Sequence, residues 1–204
     1  MEAASMTDYT NLIQLTKAIA FFLNEGETAP VWTFKPMDEP YPTQFITGPN
    51  EAELAIRIET YGAKKGRVEV HGNFHIGRDK QFVDVREWNG SERAKLPEIS
   101  VAGDRGAQAI AKEIKRRFLP EYLPLLAKAI ARRNESNTYE DKTRANLATL
   151  AKIVGARVPE DRGRTTTYFT GGDIQVSGDS ITLKLSSLSV EQAKQILEMM
   201  KGAR

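Results

Sequence analysis

The 204-residue chain contains no cysteine. That absence excludes disulfides, thiolate zinc sites and cysteine nucleophiles, and it fits a reducing compartment. Histidine is almost as scarce: His71 and His75 are the two in the chain. No segment reaches the roughly 18–20 apolar residues that a membrane-crossing helix needs. The opening Met1-Glu2-Ala3-Ala4-Ser5 places an acid early and no basic stretch before an apolar run, so it does not read as a secretory signal. The expectation is a cytoplasmic protein without a membrane partner.

Nor does one sign of charge dominate. The net charge is +2, although 27% of residues are charged. Any argument for a nucleic-acid partner therefore rests on how charge clusters. Reaction signatures are missing as well. Gly103-Asp104-Arg105-Gly106 precedes a helical pattern, but no Gly-Lys-Ser/Thr follows and there is no third glycine, so it is neither a P-loop nor a dinucleotide fingerprint. Its plain reading is a glycine turn with Asp104 as helix cap. No serine nucleophile elbow, zinc-deaminase signature or kinase set is present. No cofactor is implied.

What is present is periodicity, in a chain 40% hydrophobic and able to bury a sizeable core. From Arg67 to Ile76, Val68, Val70, Phe74 and Ile76 alternate with Arg67, Glu69, His71, Asn73 and His75. A period of two marks a half-buried strand, and a slip of one residue would invert every side chain. The first set is expected to be buried, with both histidines on the opposite face. Leu54 to Glu59 alternates too, and with the turn at Tyr61–Gly66 the two segments read as a hairpin. Further strands are expected at Val31–Phe34, Gln81–Val85 and Ile99–Ala102. Phe45-Ile46 is too short to assign. Trp32, Phe34, Phe74 and Phe82 look inward, and Trp88 beside Asn89-Gly90 reads as a loop-tip aromatic.

Helical spacing covers the rest. A first helix runs from Thr7 to about Leu23, with Leu12, Leu15, Ile19, Phe22 and Leu23 inward. A second follows Asp104, with Ala107, Ile110, Ala111, Ile114 and Phe118 inward. Pro120 and Pro124 break the pattern. Another helix covers Glu121–Arg133, with Leu123, Leu126, Ala127 and Ile130 inward. After a break at Asn134–Asn137, a helix over Thr138–Val154 should form an antiparallel hairpin with it. The last segments read as two short strands, Asp173–Val176 and Ile181–Leu185, and a helix opened by a Ser189–Gln192 capping box.

The fold class expected is α+β: a mostly antiparallel sheet of four to five strands with helices on one face, plus a C-terminal ββα unit. Residues 1–155 form the main domain, 156–172 a flexible connector and 173–204 the ββα appendix.

Two residue sets are candidates for function. Between Arg105 and Arg164 stand fourteen Lys/Arg against seven Asp/Glu, a local charge of +7. Such asymmetry is the footprint of a phosphate-backbone binder or of a protein with an acidic partner surface. Lys112, Lys115, Arg116, Arg132, Arg133, Arg157, Arg162 and Arg164 are its candidate contacts. The competing explanation is a set of solvated helix faces, with Arg132 and Arg133 complementing a helix dipole. The second set is Glu69, His71 and His75 on the polar sheet face. A histidine beside a carboxylate can do acid–base work. The two histidines, four apart on a strand, stand about 13 Å from each other and would not share a metal. The leading expectation is a non-enzymatic binding protein whose basic half engages nucleic acid or a nucleoprotein, a profile that suits a phage or mobile-element accessory or inhibitor protein. A small enzyme acting on a phosphorylated or nucleic-acid substrate, and a structural subunit of a homo-oligomer, are the alternatives.

Overall fold

The computed structural model describes residues 6–37, 42–86, 88–89, 92–93, 95–161 and 163–202. In chain order, the elements begin with α1 (Met6–Leu23), β1 (Thr33–Lys35), β2 (Thr43–Thr47), β3 (Glu53–Ile58) and β4 (Arg67–Gly72). The short pair β5 (Trp88–Asn89) and β6 (Glu92–Arg93) follows, then β7 (Glu98–Ala102). Helix α2 (Gly106–Glu113) passes through a wider π turn, Ile114–Phe118, directly into α3 (Leu119–Ile153). Strands β8 (Thr166–Phe169), β9 (Gly172–Ser177) and β10 (Ser180–Leu185) precede α4 (Val190–Gly202). The chain divides into two compact units, Met1–Arg133 and Asn134–Arg204. The class is α+β.

The first unit holds an antiparallel sheet in the order β1-β2-β3-β4-β7. Its register places Ile56 opposite Val70, Val70 opposite Ile99 and Val68 opposite Val101. These residues, with Leu54 and Ile46, are all buried on one face. The hairpin of β3 and β4 is as expected. The β2 strand extends the two-residue hint at Phe45-Ile46 to five residues, because Gln44 is buried opposite Ile56 and Phe45 pairs with Ala55.

Alternation stops at Gly72, where β4 ends. A Cβ there would lie 2.2 Å from the Tyr122 ring. The chain turns into the core, so Phe74 is buried and Ile76 half-buried without being strand residues. His75 therefore does not share a strand face with His71. It is exposed, its N–H donates to Asn73 Oδ1, and its ring packs on Phe82. Gln81–Val85 is likewise irregular rather than a strand. Val83 N–H bonds to Phe74 O, Val85 is buried, and Phe82 stays partly outside as it packs edge-on against Phe74. Phe34 is half-buried and Trp32 buried. The side chain of Trp88 lies outside the described residues.

Helix α1 buries Leu12, Thr16, Ile19, Ala20 and Leu23, with Leu15 and Phe22 half-buried. The hydroxyl of Thr16 donates to Leu12 O, which lets a polar residue join the apolar face. The helix end is fastened by one side chain. Asn24 Nδ2 donates to Ala20 O and Trp32 O, at 3.0 and 2.7 Å. Its Oδ1 accepts the N–H groups of Val31 and Trp32, both at 2.8 Å. Asn24→Ala orphans this cluster, and the expected loss is about 1–3 kcal/mol. It should show as a lower urea midpoint with an unchanged slope.

The long helical run departs most from the sequence expectation. Asp104 does not cap α2; it lies in a 3-10 turn, and the helix begins at Gly106, whose φ of +75° suits glycine. Beyond it, Ile110, Ile114, Phe118, Tyr122 and Leu126 are all fully buried. Steps of four residues drift by about 40° each in a regular α-helix. The π turn takes up that drift by adding a residue to one turn. The inward face of the next segment is therefore Tyr122, Leu126 and Ala129, while Ala127 is exposed. Burial of these groups outweighs the roughly 3 kcal/mol cost of Pro124 inside the helix. No break occurs at Asn134–Asn137, and no helical hairpin forms. Ser136 bonds to Glu140 and Thr138 to Asn134 O, so these polar side chains are satisfied within the helix.

The second unit holds the sheet β10-β9-β8. Ile174 and Val176 of β9 are buried with Leu147 and Ala151 of α3. Strand β8 stands where the sequence reads as connector. Its run Thr166-Thr167-Tyr168-Phe169 is β-branched and aromatic, and Thr167 is buried with its hydroxyl bonded to Arg157 O. The capping box of α4 forms: Gln192 N–H reaches Ser189 Oγ, and Ser189 N–H reaches Gln192 Oε1.

Candidate functional site

Two surfaces collect the candidate residues, one in each unit. In the first unit, the face of the sheet opposite the apolar core carries a row of charges. The register sets Arg57 opposite Glu69, and His71 opposite Glu98. Arg57 Nε and Nη2 both donate to Glu69 Oε2, at 3.0 and 2.7 Å. Lys64 Nζ reaches the other carboxylate oxygen at 3.0 Å. His71 Nε2 lies 3.4 Å from Glu69 Oε2, and its Nδ1 3.7 Å from Glu98 Oε2. Arg67 holds both the hydroxyl and the carbonyl of Ser100 at 2.7 Å.

Glu69 is the centre of this row and is only 5% exposed. Burial alone would push its carboxyl up. Hydrogen bonds from Lys64 and Arg57, with their charges, outweigh burial and hold it down at about 2. A carboxylate so acidic is a poor base near neutral pH. The structure thus brings Glu69 to His71 but builds an ion cluster around the pair, and it leaves His75 apart. Among the described residues, no three His, Cys, Asp or Glu side chains converge to hold a metal ion.

The basic residues of the first unit are mostly engaged within it. Lys115 Nζ donates to Glu25 O at 3.0 Å. Arg116 bonds Glu113 at 2.6 Å, with Arg117 and Arg105 at 3.6 and 3.9 Å. The Arg116 hydrogen bond holds the Glu113 carboxyl below its usual range, against a smaller effect of burial. Arg132 donates to Asp84 O at 2.6 Å. Arg133 grips both oxygens of Glu51 at 2.5 and 2.9 Å. Lys112 is exposed. A count of charge along the sequence includes Glu113 but does not reveal Glu25 O, Asp84 O or Glu51, which come from distant segments.

The second unit places its basic residues differently. Arg157 and Arg164 line one open concavity with Pro159, Glu160, Thr166 and Tyr168. Arg157 pairs with Glu160, but both side chains are more than four-fifths exposed, and such a pair is weak. Alternation along β8 puts Thr167 in the core and turns Tyr168 outward, where it is 74% exposed. Arg162 lies outside the described residues. Sequence reasoning found the arginines and missed Tyr168. The β-branched run around it was the available signal.

The chain matches no protein-family model, no curated protein and no solved structure.

Proposed function

We propose that the protein is a non-enzymatic binder of single-stranded nucleic acid, with the contact surface on the second unit at Arg157, Arg164, Thr166 and Tyr168. The observation that carries this reading is an exposed aromatic ring in a concavity lined by two guanidinium groups. Sequence-independent binding of single-stranded nucleic acid uses that combination: cations track the phosphates and an aromatic face stacks a base. Thr166 supplies a hydroxyl for a phosphate or sugar oxygen. The ion cluster around Glu69 supports the binding reading over the enzymatic one, since its carboxylate is neutralised by its own neighbours.

The test is fluorescence anisotropy with a labelled oligothymidine across a salt series. Affinity should fall with salt at a log–log slope of about −0.7 per phosphate contact. The charge reversals R157E and R164E together should flatten that slope by about 1.4. Tyr168→Ala should weaken binding by roughly 1–3 kcal/mol, the stacking contribution of one base, while leaving the salt slope unchanged. Lys112→Glu, in the first unit, should do neither. No binding at low salt would refute the reading, and an acidic protein surface would become the better match for the same arginines.

A further inference from the structure

The concavity around Tyr168 has a neighbour. A second one is lined by Val154, Gly155, Ala156, Phe169 and Thr170, and Arg157 and Tyr168 line both. The two are alike in size, with cavity volumes of about 420 and 440 Å³. The second takes its form from the way α3 ends. Gly155 adopts a φ of +66°. Its N–H bonds to Lys152 O, and the Ala156 N–H bonds to Ala151 O. That glycine cap turns the chain away from the helix axis. Val154, before the turn, and Phe169, at the end of β8, both pack against the buried cluster of Leu147, Ile174 and Val176. The floor of the second concavity is therefore set by the core of the unit.

The two concavities differ in charge. The first holds Glu160 beside Arg157 and Arg164, and Glu160 pairs with Arg157. Among the described residues that line the second there is no carboxylate, and the one charge is the Arg157 guanidinium. Val154, Ala156 and Phe169 supply apolar wall, and Thr170 supplies a hydroxyl. A free inorganic anion would gain nothing from those walls. A flat, partly apolar group joined to an anion matches all of them, and a nucleobase attached to its phosphate is such a group.

We infer that the second concavity holds a second base, so that the smallest unit recognised is a dinucleotide; this rests on the single-strand reading given above. Tyr168 stacks the first base and separates it from the second. The phosphate that joins the two sits on Arg157, the cation common to both concavities, and takes the place of the Glu160 carboxylate there. A weak, exposed ion pair is readily exchanged in this way.

The test is competition against the labelled oligothymidine by the dinucleotide dTpdT and by its two singly abasic forms. All three carry one phosphate, so charge is constant and only a base changes. The full dinucleotide should compete about fivefold or more better than either abasic form, the lower end of the value of one stacked base. Ala156→Leu, which fills the second concavity, should lower dTpdT to the level of one abasic form and leave that form within about twofold. Thr170→Leu, at an exposed turn position, narrows the same concavity without touching the core and should shift dTpdT in the same direction. An abasic form that competes as well as dTpdT, or dTpdT binding indifferent to both variants, overturns the second position while the single-strand reading stands. A labelled oligomer that does not bind at all refutes that reading and this inference with it.

Discussion

Gly72→Ala is expected to be among the more damaging single-methyl additions to the first unit, costing about 3 kcal/mol or more. The added Cβ would meet Tyr122 Cε2 and Cδ2 at 2.2 and 2.3 Å, well inside any real contact. Neither side can give way. Gly72 is held in the ladder opposite Leu54, and the Tyr122 ring is fully buried between Phe74 and Phe118. The Tyr122 hydroxyl also accepts the Glu53 N–H and lies within bonding distance of the Glu53 and Asn73 carbonyls, each at 3.2 Å. Burial pushes that phenol up to about 12, so it stays protonated and able to donate. Overpacking of a filled core commonly costs about 1–3 kcal/mol and more where rings cannot move. Calorimetry should record the transition of the first unit about 10 °C lower or more. In Tyr122→Ala, which is itself destabilised, the same glycine change should cost little. Full additivity of the two changes would contradict the proposed clash.

The second large effect is a loss of stability in acid. The Glu69 carboxyl is held at about 2, against an ordinary 4.5. A depressed carboxylate contributes stability that is complete above the unfolded-state value and lost as pH falls through the folded one. Glu69 should therefore contribute roughly 2–3 kcal/mol at neutral pH, and that share should disappear between about pH 5 and pH 2. Urea midpoints measured across this range give the curve. Glu69→Gln should be weaker at neutral pH and should flatten the acid limb by the same amount. An acid limb unchanged in the variant would place the carboxylate outside the stabilising network.

How much of this was legible in the sequence depended on period. The β3–β4 hairpin was readable because Leu54, Ile56, Val68 and Val70 alternate with charged residues and one face is buried. The first half of the long helix was readable by its four-residue spacing. The π turn at Ile114–Phe118 left no local mark, since it arises from the need to keep Phe118 and Tyr122 in one core. The shift of the inward face to Tyr122 and Ala129 was hidden with it. Prolines 120 and 124 and the polar run Asn134–Asn137 look like breaks because propensity says so. Packing and intrahelical hydrogen bonds overrode it. For the candidate sites, charge was visible but pairing was not. Arg133 finds Glu51, 82 residues away, and no one-dimensional pattern reports such a partner. Tyr168 was hidden in a stretch whose glycines and arginines suggested a connector.

The sheet of the first unit has a consequence for synthesis. All four of its ladders join neighbouring strands, and the widest step, from β4 to β7, skips only the short β5–β6 pair. Such pairing is local and closes quickly. Further cover for this core comes later, from Ile114, Phe118, Tyr122 and Leu126 of the long helical run. At about 5–20 residues per second, a ribosome needs roughly 3–10 s to deliver those residues after Gly72. During that interval Val68 and Val70 lie on a formed ladder without the cover that Ile114, Phe118 and Tyr122 later give the same core. A nascent chain paused between these points is the state in which this protein most needs a chaperone.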